Sequence, residues 1–170
     1  KTQVTGFQNA KYQPLRCYED IMIFSKCGAV ASAKPPMRYF PQGIIPVNLK
    51  VTTKPINYLG DKKSDEKVSY TQEEANFPRN VIQFARETDL YHPTQKPIVL
   101  MEYIVSTYSK RGDLVLDFTS GSGSTLLACE VLNRRWIGIE LTDKYCEVIK
   151  KRIQKGIQLK LQFEYDNENT

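Results

Sequence analysis

The chain has 170 residues, of which 41% are apolar and 25% charged, and this composition excludes a globally disordered protein. The length suits one domain with a real core, and no apolar run approaches the ~20 residues that span a bilayer. Nothing at the N-terminus resembles a signal peptide. Four cysteines without a Cys-x-x-Cys pair, together with one histidine, argue against a disulfide scaffold or a zinc site and predict a cytoplasmic protein.

The net charge of +5 is concentrated in the first third of the chain. Residues 1–60 carry eight basic and two acidic side chains, interleaved with aromatic residues. This combination suits a nucleic-acid backbone and unstacked bases. An ordinary solvated lysine surface would give the same count, so charge alone leaves both interpretations open.

The first half of the chain predicts little regular structure. Residues 20–25 form a short apolar run typical of a buried strand. Six of the nine prolines lie between Pro35 and Pro78, where periodicity is poor, so we expect a long irregular segment of functional importance. Residues 80–87 predict a further short strand.

The second half predicts an alternation of strands and helices. Pro97 is well placed as the first residue of a largely buried helix over 98–109, with Gly112 just beyond its end. Gly156 should end the last helix. The predicted elements after that first helix are a strand over 113–118, a Gly/Ser turn over 119–125, a helix over 126–133, a strand over 135–140, a helix over 142–155 and a strand over 157–165. This order indicates a right-handed α/β unit with parallel strands.

Two carboxylates and a glycine turn at one sheet edge indicate a nucleoside-containing cofactor. Asp117 and Glu140 end neighbouring strands, and Glu140 lies 19 residues after Gly121, a spacing that suits a ribose ligand. No lysine follows Gly123, which argues against ATP. A carboxylate at the strand end repels a pyrophosphate but suits an ammonium group, so S-adenosylmethionine fits best. The alternatives are an NAD oxidoreductase and a plain strand–turn–helix with solubilising carboxylates.

Three motifs in this order and spacing resemble the β-group DNA amino-methyltransferases, which modify adenine-N6 or cytosine-N4. They are His92–Pro97, Leu116–Thr125 and Ile137–Glu140. The stretches Thr5–Arg16 and Glu19–Lys26 also resemble these enzymes, particularly phage and prophage adenine methyltransferases. The resemblance covers nearly the whole chain.

The resemblance implies an α/β Rossmann-like methyltransferase fold, with a parallel-rich sheet and helices on both faces. Residues 1–29 would belong to the catalytic domain in the region of its seventh strand, 30–79 would form an irregular target-recognition insertion, and 80–170 would bind S-adenosylmethionine. The chain would supply the first three strands and the seventh. The fold is therefore expected to be incomplete, because the strands from the middle of the sheet are missing.

The resemblance also implies roles for individual residues. The glycine turn and Asp117 would hold the methionine end of the cofactor, Glu140 the ribose, and the hexapeptide would line the methionine side. The implied cofactor-binding residues are His92, Thr94, Lys96, Asp117, Phe118, Ser120, Gly121, Ser122, Gly123, Thr125 and Glu140. The implied DNA-binding residues are Lys34, Arg38, Tyr39, Lys50 and Lys54, and no metal is expected.

The family's catalytic tetrapeptide, Asp-Pro-Pro-Tyr or a close variant, is absent from this sequence. We therefore expect the catalytic residues on an N-terminal half, in the same polypeptide or on a second chain, and this chain alone should be inactive. The expected substrate is double-stranded DNA, with adenine-N6 favoured, and homodimer formation is left open. The alternative function is a catalytically inactive methyltransferase-like module that binds nucleic acid.

Overall fold

The computed structural model describes residues 7–15, 17–30, 32–53 and 67–168. The chain divides into two compact units, Lys1–Met37 and Arg38–Thr170. In the first unit, Phe7–Asn9 forms a single 3₁₀ turn. The strand predicted over 20–25 is wrong, because these residues have no regular structure. Their apolar side chains are exposed, and no described strand pairs with them: Ile21, Met22, Ile23 and Phe24.

The segment predicted to be irregular contains an antiparallel strand pair instead. Strand β1, Ile45–Thr53, pairs with β2, Val68–Ala75, from Ile45 opposite Ala75 to Thr53 opposite Val68. The register shifts between Pro46 and Leu49, which is where a proline without an N–H interrupts a ladder. Pro46 therefore lies at the irregular end of β1, while the β-branched Val51, Thr52 and Thr53 occupy its regular end.

Residues 80–87 form no strand, which corrects a second prediction. This extended segment is held by side chains rather than by a ladder. The Phe84 ring lies 5.7 Å from the Tyr103 ring, centroid to centroid. The Glu87 carboxylate accepts a hydrogen bond of 2.6 Å from the Ile98 N–H at the start of the next helix. An apolar pair and a capping carboxylate thus replace strand pairing.

The predicted α/β unit is confirmed in its central part. Helix α1 is Ile98–Tyr108, strand β3 Leu114–Asp117, helix α2 Ser124–Val131 and strand β4 Arg135–Gly138. Pro97 is the residue before α1 rather than its first residue, and α1 is mostly half-buried rather than fully covered. Strands β3 and β4 are parallel, with Asp117 opposite Gly138. The buried apolar side chains between the helices are Val105, Leu126, Ala128, Cys129 and Ile153.

The last helix is longer than predicted. Helix α3 runs over Asp143–Glu168, so Gly156 does not end it, and the strand predicted over 157–165 is wrong. A Cβ atom on Gly156 would lie 2.5 Å from Leu127 Cδ1, so the glycine permits α3 to approach α2 closely. The flanking Lys, Gln and Leu residues favour helix and offset the ~1 kcal/mol cost of one interior glycine. Among the described residues, no helix has the length and apolar character needed to cross a membrane.

One face of the β3–β4 pair is open. Alternate residues along both strands and just beyond them expose apolar side chains, with Phe118 71% and Leu141 97% exposed. The others on this face are Leu114, Leu116, Ile137 and Ile139. Soluble domains bury such a face against another layer. The described α/β fold is therefore incomplete, as expected from the sequence.

Candidate functional site

The glycine turn joins β3 to α2 in a tight, left-handed conformation. Gly121 and Gly123 have φ angles of 54° and 80°, a region that favours glycine. The Gly123 N–H donates to the Ser120 carbonyl at 2.7 Å, and the Ser120 hydroxyl donates to the Asp117 carbonyl at 2.9 Å. A Cβ atom on Gly123 would lie 2.9 Å from Ile149 Cγ1 of α3. Both glycines are therefore required by the backbone geometry, and the second also by packing.

The β3–β4 pairing brings Glu140 to the glycine turn. The Ile139 N–H donates to the Asp117 carbonyl at 2.8 Å, which places the following residue at the same sheet edge. Glu140 Oε1 accepts from the Thr142 N–H at 2.9 Å, and Oε2 accepts from the Gly121 N–H at 2.8 Å. These backbone donors, that of Thr142 first, lower the pKa of Glu140. Since a carboxylate has about four acceptor sites, it can still accept hydrogen bonds from hydroxyl groups.

The lowered pKa gives a pH-dependent prediction for Glu140→Gln. The folded pKa lies below the ordinary value of 4.5, so the stabilisation by ionised Glu140 is fully present above that value. It is lost as the pH falls through the folded pKa. Urea unfolding between pH 3 and 7 should therefore show the variant less stable than wild type near neutrality, with the difference vanishing in acid.

The control for this prediction has the opposite sign. Burial raises the pKa of Glu102, so its ionised form costs stability at neutral pH and this cost disappears as the pH falls. The Glu102→Gln variant should therefore be more stable than wild type near neutral pH, and this advantage should disappear in acid. A stability difference for Glu140→Gln that stays constant with pH would contradict the hydrogen-bond assignment.

The hexapeptide His92–Pro97 lies against the glycine turn. The His92 Nδ1 atom accepts from the Thr94 N–H at 3.2 Å, and it lies 3.1 Å from the Thr94 hydroxyl. Because Nδ1 is an acceptor, a neutral His92 ring carries its proton on Nε2. The ring lies 4.4 Å from the Tyr145 ring, and its carbons are 3.7 Å from where a Gly121 Cβ would be. The two motifs are therefore neighbours in space, although about thirty residues separate them in sequence.

A cavity of about 90 Å³ lies between the two motifs. Most of the predicted cofactor-binding residues share it, together with three residues outside that predicted set: Gln95 of the hexapeptide, Met101 of α1 and Ser124 of the glycine turn. Its complete lining is His92, Thr94, Gln95, Lys96, Met101, Ser120, Gly121, Ser122, Ser124 and Thr125. Ligand pockets usually measure ~300 Å³ or more. The described residues therefore enclose part of a ligand site rather than a whole one.

The N-terminus of α2 opens at this cavity. Its first residues, Ser124 and Thr125, line the wall, and its N-cap is Gly123 without a side-chain hydrogen bond. The first N–H groups of a helix lack partners within the helix and favour anions. The Thr125 hydroxyl lies 3.5 Å from Met101 Sδ. The cavity thus combines backbone donors with a partly apolar wall.

The remaining predicted cofactor residues lie around the cavity rather than in its lining. Asp117 is half-buried at the end of β3, where Oδ1 accepts from the Thr119 N–H at 3.1 Å. Phe118 points to the open sheet face. Although Ser120 and Ser122 line the cavity, both side chains are buried in hydrogen bonds within the protein. These two serines therefore offer backbone groups rather than hydroxyls.

A buried arginine, which was not among the residues predicted from the sequence, lies behind the turn. Arg152 of α3 is 9% exposed, and its Nη1 donates to the Ser122 carbonyl at 2.6 Å. Its signal in the sequence is a charge within the apolar stripe of a helix, three residues after Ile149 and seven after Tyr145. Lysine and arginine are almost never fully buried unless they are paired, so this position indicates a specific partner.

The predicted DNA-binding residues fall in different places. Lys34 is exposed in the first unit, and Lys54 lies outside the described residues. Arg38 pairs with Asp113 at 2.9 Å, and the Tyr39 ring lies 6.1 Å from the Tyr108 ring. These two contacts anchor the chain to the end of α1 and the start of β3. Lys50 is exposed on β1 of the hairpin.

Comparison with known proteins identifies the family of this chain. The profile of the DNA methylase family matches residues 1–151. The type II methyltransferase M2.LlaDCHI of Lactococcus lactis subsp. cremoris is 42% identical over 65 residues, which cover 38% of this chain and 24% of that protein. The putative methylase YubD of Escherichia coli (strain K12) is 36% identical over 71 residues, 40% of this chain and 31% of that protein.

Among solved structures, the M1.HpyAVI–SAM complex is 35% identical and covers 51% of this chain and 48% of that chain, with a TM-score of 0.39. The alignments to the two curated relatives span about a quarter and about a third of their lengths.

Proposed function

This chain belongs to the DNA methylase family, and we propose that it is the cofactor-binding and target-recognition part of an S-adenosylmethionine-dependent DNA methyltransferase. The observation that carries the proposal is the meeting of His92, Gly121 and Glu140 at one sheet edge beside a helix N-terminus. Nothing in the charge or composition alone would distinguish this site from an ordinary strand–turn–helix.

The residues present fit the amino-acid end and the ribose of S-adenosylmethionine. The N-terminus of α2 offers uncapped N–H groups for a carboxylate, and Asp117 offers a carboxylate for an ammonium group. Glu140 keeps acceptor sites for the ribose hydroxyls. The bound cofactor would supply an activated methyl group. The chain's own contribution is to bind and orient it, which can provide much of the acceleration of a transfer between two substrates.

We further propose that the acceptor is the exocyclic amine of a DNA base, adenine-N6, flipped out of the duplex. Residues 30–79 would face the DNA, and the exposed Lys50 on the β1–β2 hairpin would contact phosphate. Residues 1–29 and 80–170 would form the methyltransferase domain. These three assignments follow from the resemblance to the β-group DNA amino-methyltransferases.

The chain is proposed to act together with an N-terminal half. Its sequence contains no Asp-Pro-Pro-Tyr tetrapeptide to hold the target amine. The open face of β3 and β4 is apolar, with Leu116 58% and Ile139 53% exposed, and it needs a covering layer. A half that carries the tetrapeptide, covers this face and adds the strands missing from the middle of the sheet would complete both the fold and the site.

Product analysis tests the proposal. The chain is incubated with tritiated S-adenosylmethionine and duplex DNA, alone and with a polypeptide that carries the tetrapeptide-bearing half. We expect no transfer by the chain alone and labelled N6-methyladenine from the mixture, identified by mass spectrometry of the nucleosides. N4-methylcytosine would contradict the proposed base. Binding of duplex DNA that is unaffected by cofactor, without cofactor binding, would instead support the inactive nucleic-acid-binding module.

A further inference from the structure

We propose that Arg152 is a positioning residue that fixes the glycine turn and couples it to the segment carrying His92. Arg152 does not itself line the cavity, and it touches no proposed reacting atom. It lies behind the turn, on α3, and contacts two segments that are otherwise separate in sequence. Its effect on ligand affinity depends on the proposed function, whereas its effect on the turn does not.

The first set of contacts holds the turn. Arg152 Nη1 donates to the Ser122 carbonyl at 2.6 Å, and it lies 3.0 Å from Ser122 Oγ and 3.4 Å from Ser124 Oγ. All three residues are buried. Hydrogen bonds that involve a charged group are roughly twice as strong as neutral ones. One guanidinium thus fixes the turn carbonyl and the first residue of α2 together.

The second set of contacts is with the segment just before the hexapeptide, and it reaches the hexapeptide through Glu87. Arg152 Nη2 lies 3.5 Å from Glu87 Oε2, and the guanidinium lies over the Tyr91 ring, 5.1 Å from its centroid. Glu87 in turn accepts hydrogen bonds from the Gln95 side chain and from the Ile98 N–H. Burial lowers the pKa of Arg152, and the Glu87 carboxylate opposes that shift. The Arg152–Glu87 ion pair therefore links the two sides of the cavity, the glycine turn and the hexapeptide.

The geometry requires arginine rather than any cation. A guanidinium presents five donors in a fixed plane, so it can serve Ser122 through one nitrogen and Glu87 through another. A lysine ammonium is a single point on a flexible stem and cannot reproduce this fork. The Arg152→Lys variant therefore keeps the positive charge but loses the contact with either Ser122 or Glu87.

Amide hydrogen exchange tests the positioning role without any ligand. The Gly121 N–H donates to Glu140 Oε2 and the Gly123 N–H donates to the Ser120 carbonyl, so both report on the turn, whereas the Leu132 N–H, bonded to the Ala128 carbonyl, reports on α2. In Arg152→Lys we expect exchange at the two glycines to become at least about tenfold faster, as the loss of a bond to a charged group implies, with Leu132 unchanged. Lys150→Ala, at an exposed position of the same helix, should match wild type.

Calorimetry with two ligands then separates positioning from general stability. S-adenosylmethionine and 5′-methylthioadenosine share the adenosine, but the second lacks the amino-acid end that the turn would hold. Arg152→Lys should weaken the first by about tenfold and leave the second within about twofold. Unchanged exchange at both glycines, or equal weakening of both ligands, would overturn the proposal. If wild type binds neither ligand, the proposed function fails, while the exchange result still decides the role of Arg152.

Discussion

Replacing Asp117 with alanine is expected to weaken S-adenosylmethionine binding by about 10- to 100-fold. The carboxylate is half-buried at the end of β3, and its Oδ1 is held by the Thr119 N–H. A charge-assisted hydrogen bond contributes about 1.5–3 kcal/mol, and each 1.4 kcal/mol is a factor of about ten in affinity. Isothermal titration calorimetry measures the change directly.

Two further variants assign the effect to charge. Asp117→Asn keeps the size of the side chain and an acceptor for the Thr119 N–H, so it should fold normally and still lose affinity like the alanine variant. Asp113→Asn, just before the same strand, removes the carboxylate that pairs with Arg38 and should bind like wild type. The idea fails if Asp117→Asn binds S-adenosylmethionine as tightly as the wild-type chain does.

Gly138→Ala is expected to destabilise the fold by about 1–3 kcal/mol. A Cβ atom at this position would lie 2.3 Å from Leu126 Cδ1 and 2.8 Å from Ser120 Oγ. Leu126 is 1% exposed, so its side chain has little room to move, and Ser120 is a buried residue of the glycine turn. The added methyl group must therefore displace either the core or the turn. Urea unfolding gives the loss of stability, and cofactor titration gives the accompanying loss of affinity.

The neighbouring residue supplies the matched control. Ile137 lies on the same strand, but 48% of it is exposed on the open face. Truncation to alanine there should change the free energy of unfolding by about 0.5 kcal/mol or less, as at other exposed sites. If Gly138→Ala is as stable as wild type, β4 does not pack closely against Leu126, and the predicted clash is wrong.

The central part of the fold was predictable because its signals are local. A strand is indicated by a short apolar run, a turn by a cluster of Gly and Ser, and a helix by apolar residues spaced three or four apart. The observed β3, α2 and β4 lie close to the positions that these signals predict. The antiparallel pairing of β1 and β2 was not predictable, since each residue of β1 pairs with a partner 15 to 30 residues later in the sequence. Gly156 misled the prediction of α3 because the close packing of Leu127 against it is not visible in sequence.

The candidate site was predictable to a different degree at each residue. His92, Gly121 and Glu140 were found through motif spacing, and the structure places them together. Arg152 was missed because its partners, Ser122 and Glu87, lie 30 and 65 residues away, and only packing brings them together. The roles of Ser120 and Ser122 also depend on packing, since it turns their hydroxyls inward.

Calorimetric titration of the chain with S-adenosylmethionine, with NAD as a parallel ligand, is the decisive measurement for the proposed cofactor site. We expect saturable binding of S-adenosylmethionine at one site per chain and no binding of NAD, since Asp117 disfavours a pyrophosphate. A folded chain that binds NAD in preference, or that binds neither ligand while gripping duplex DNA, would contradict it.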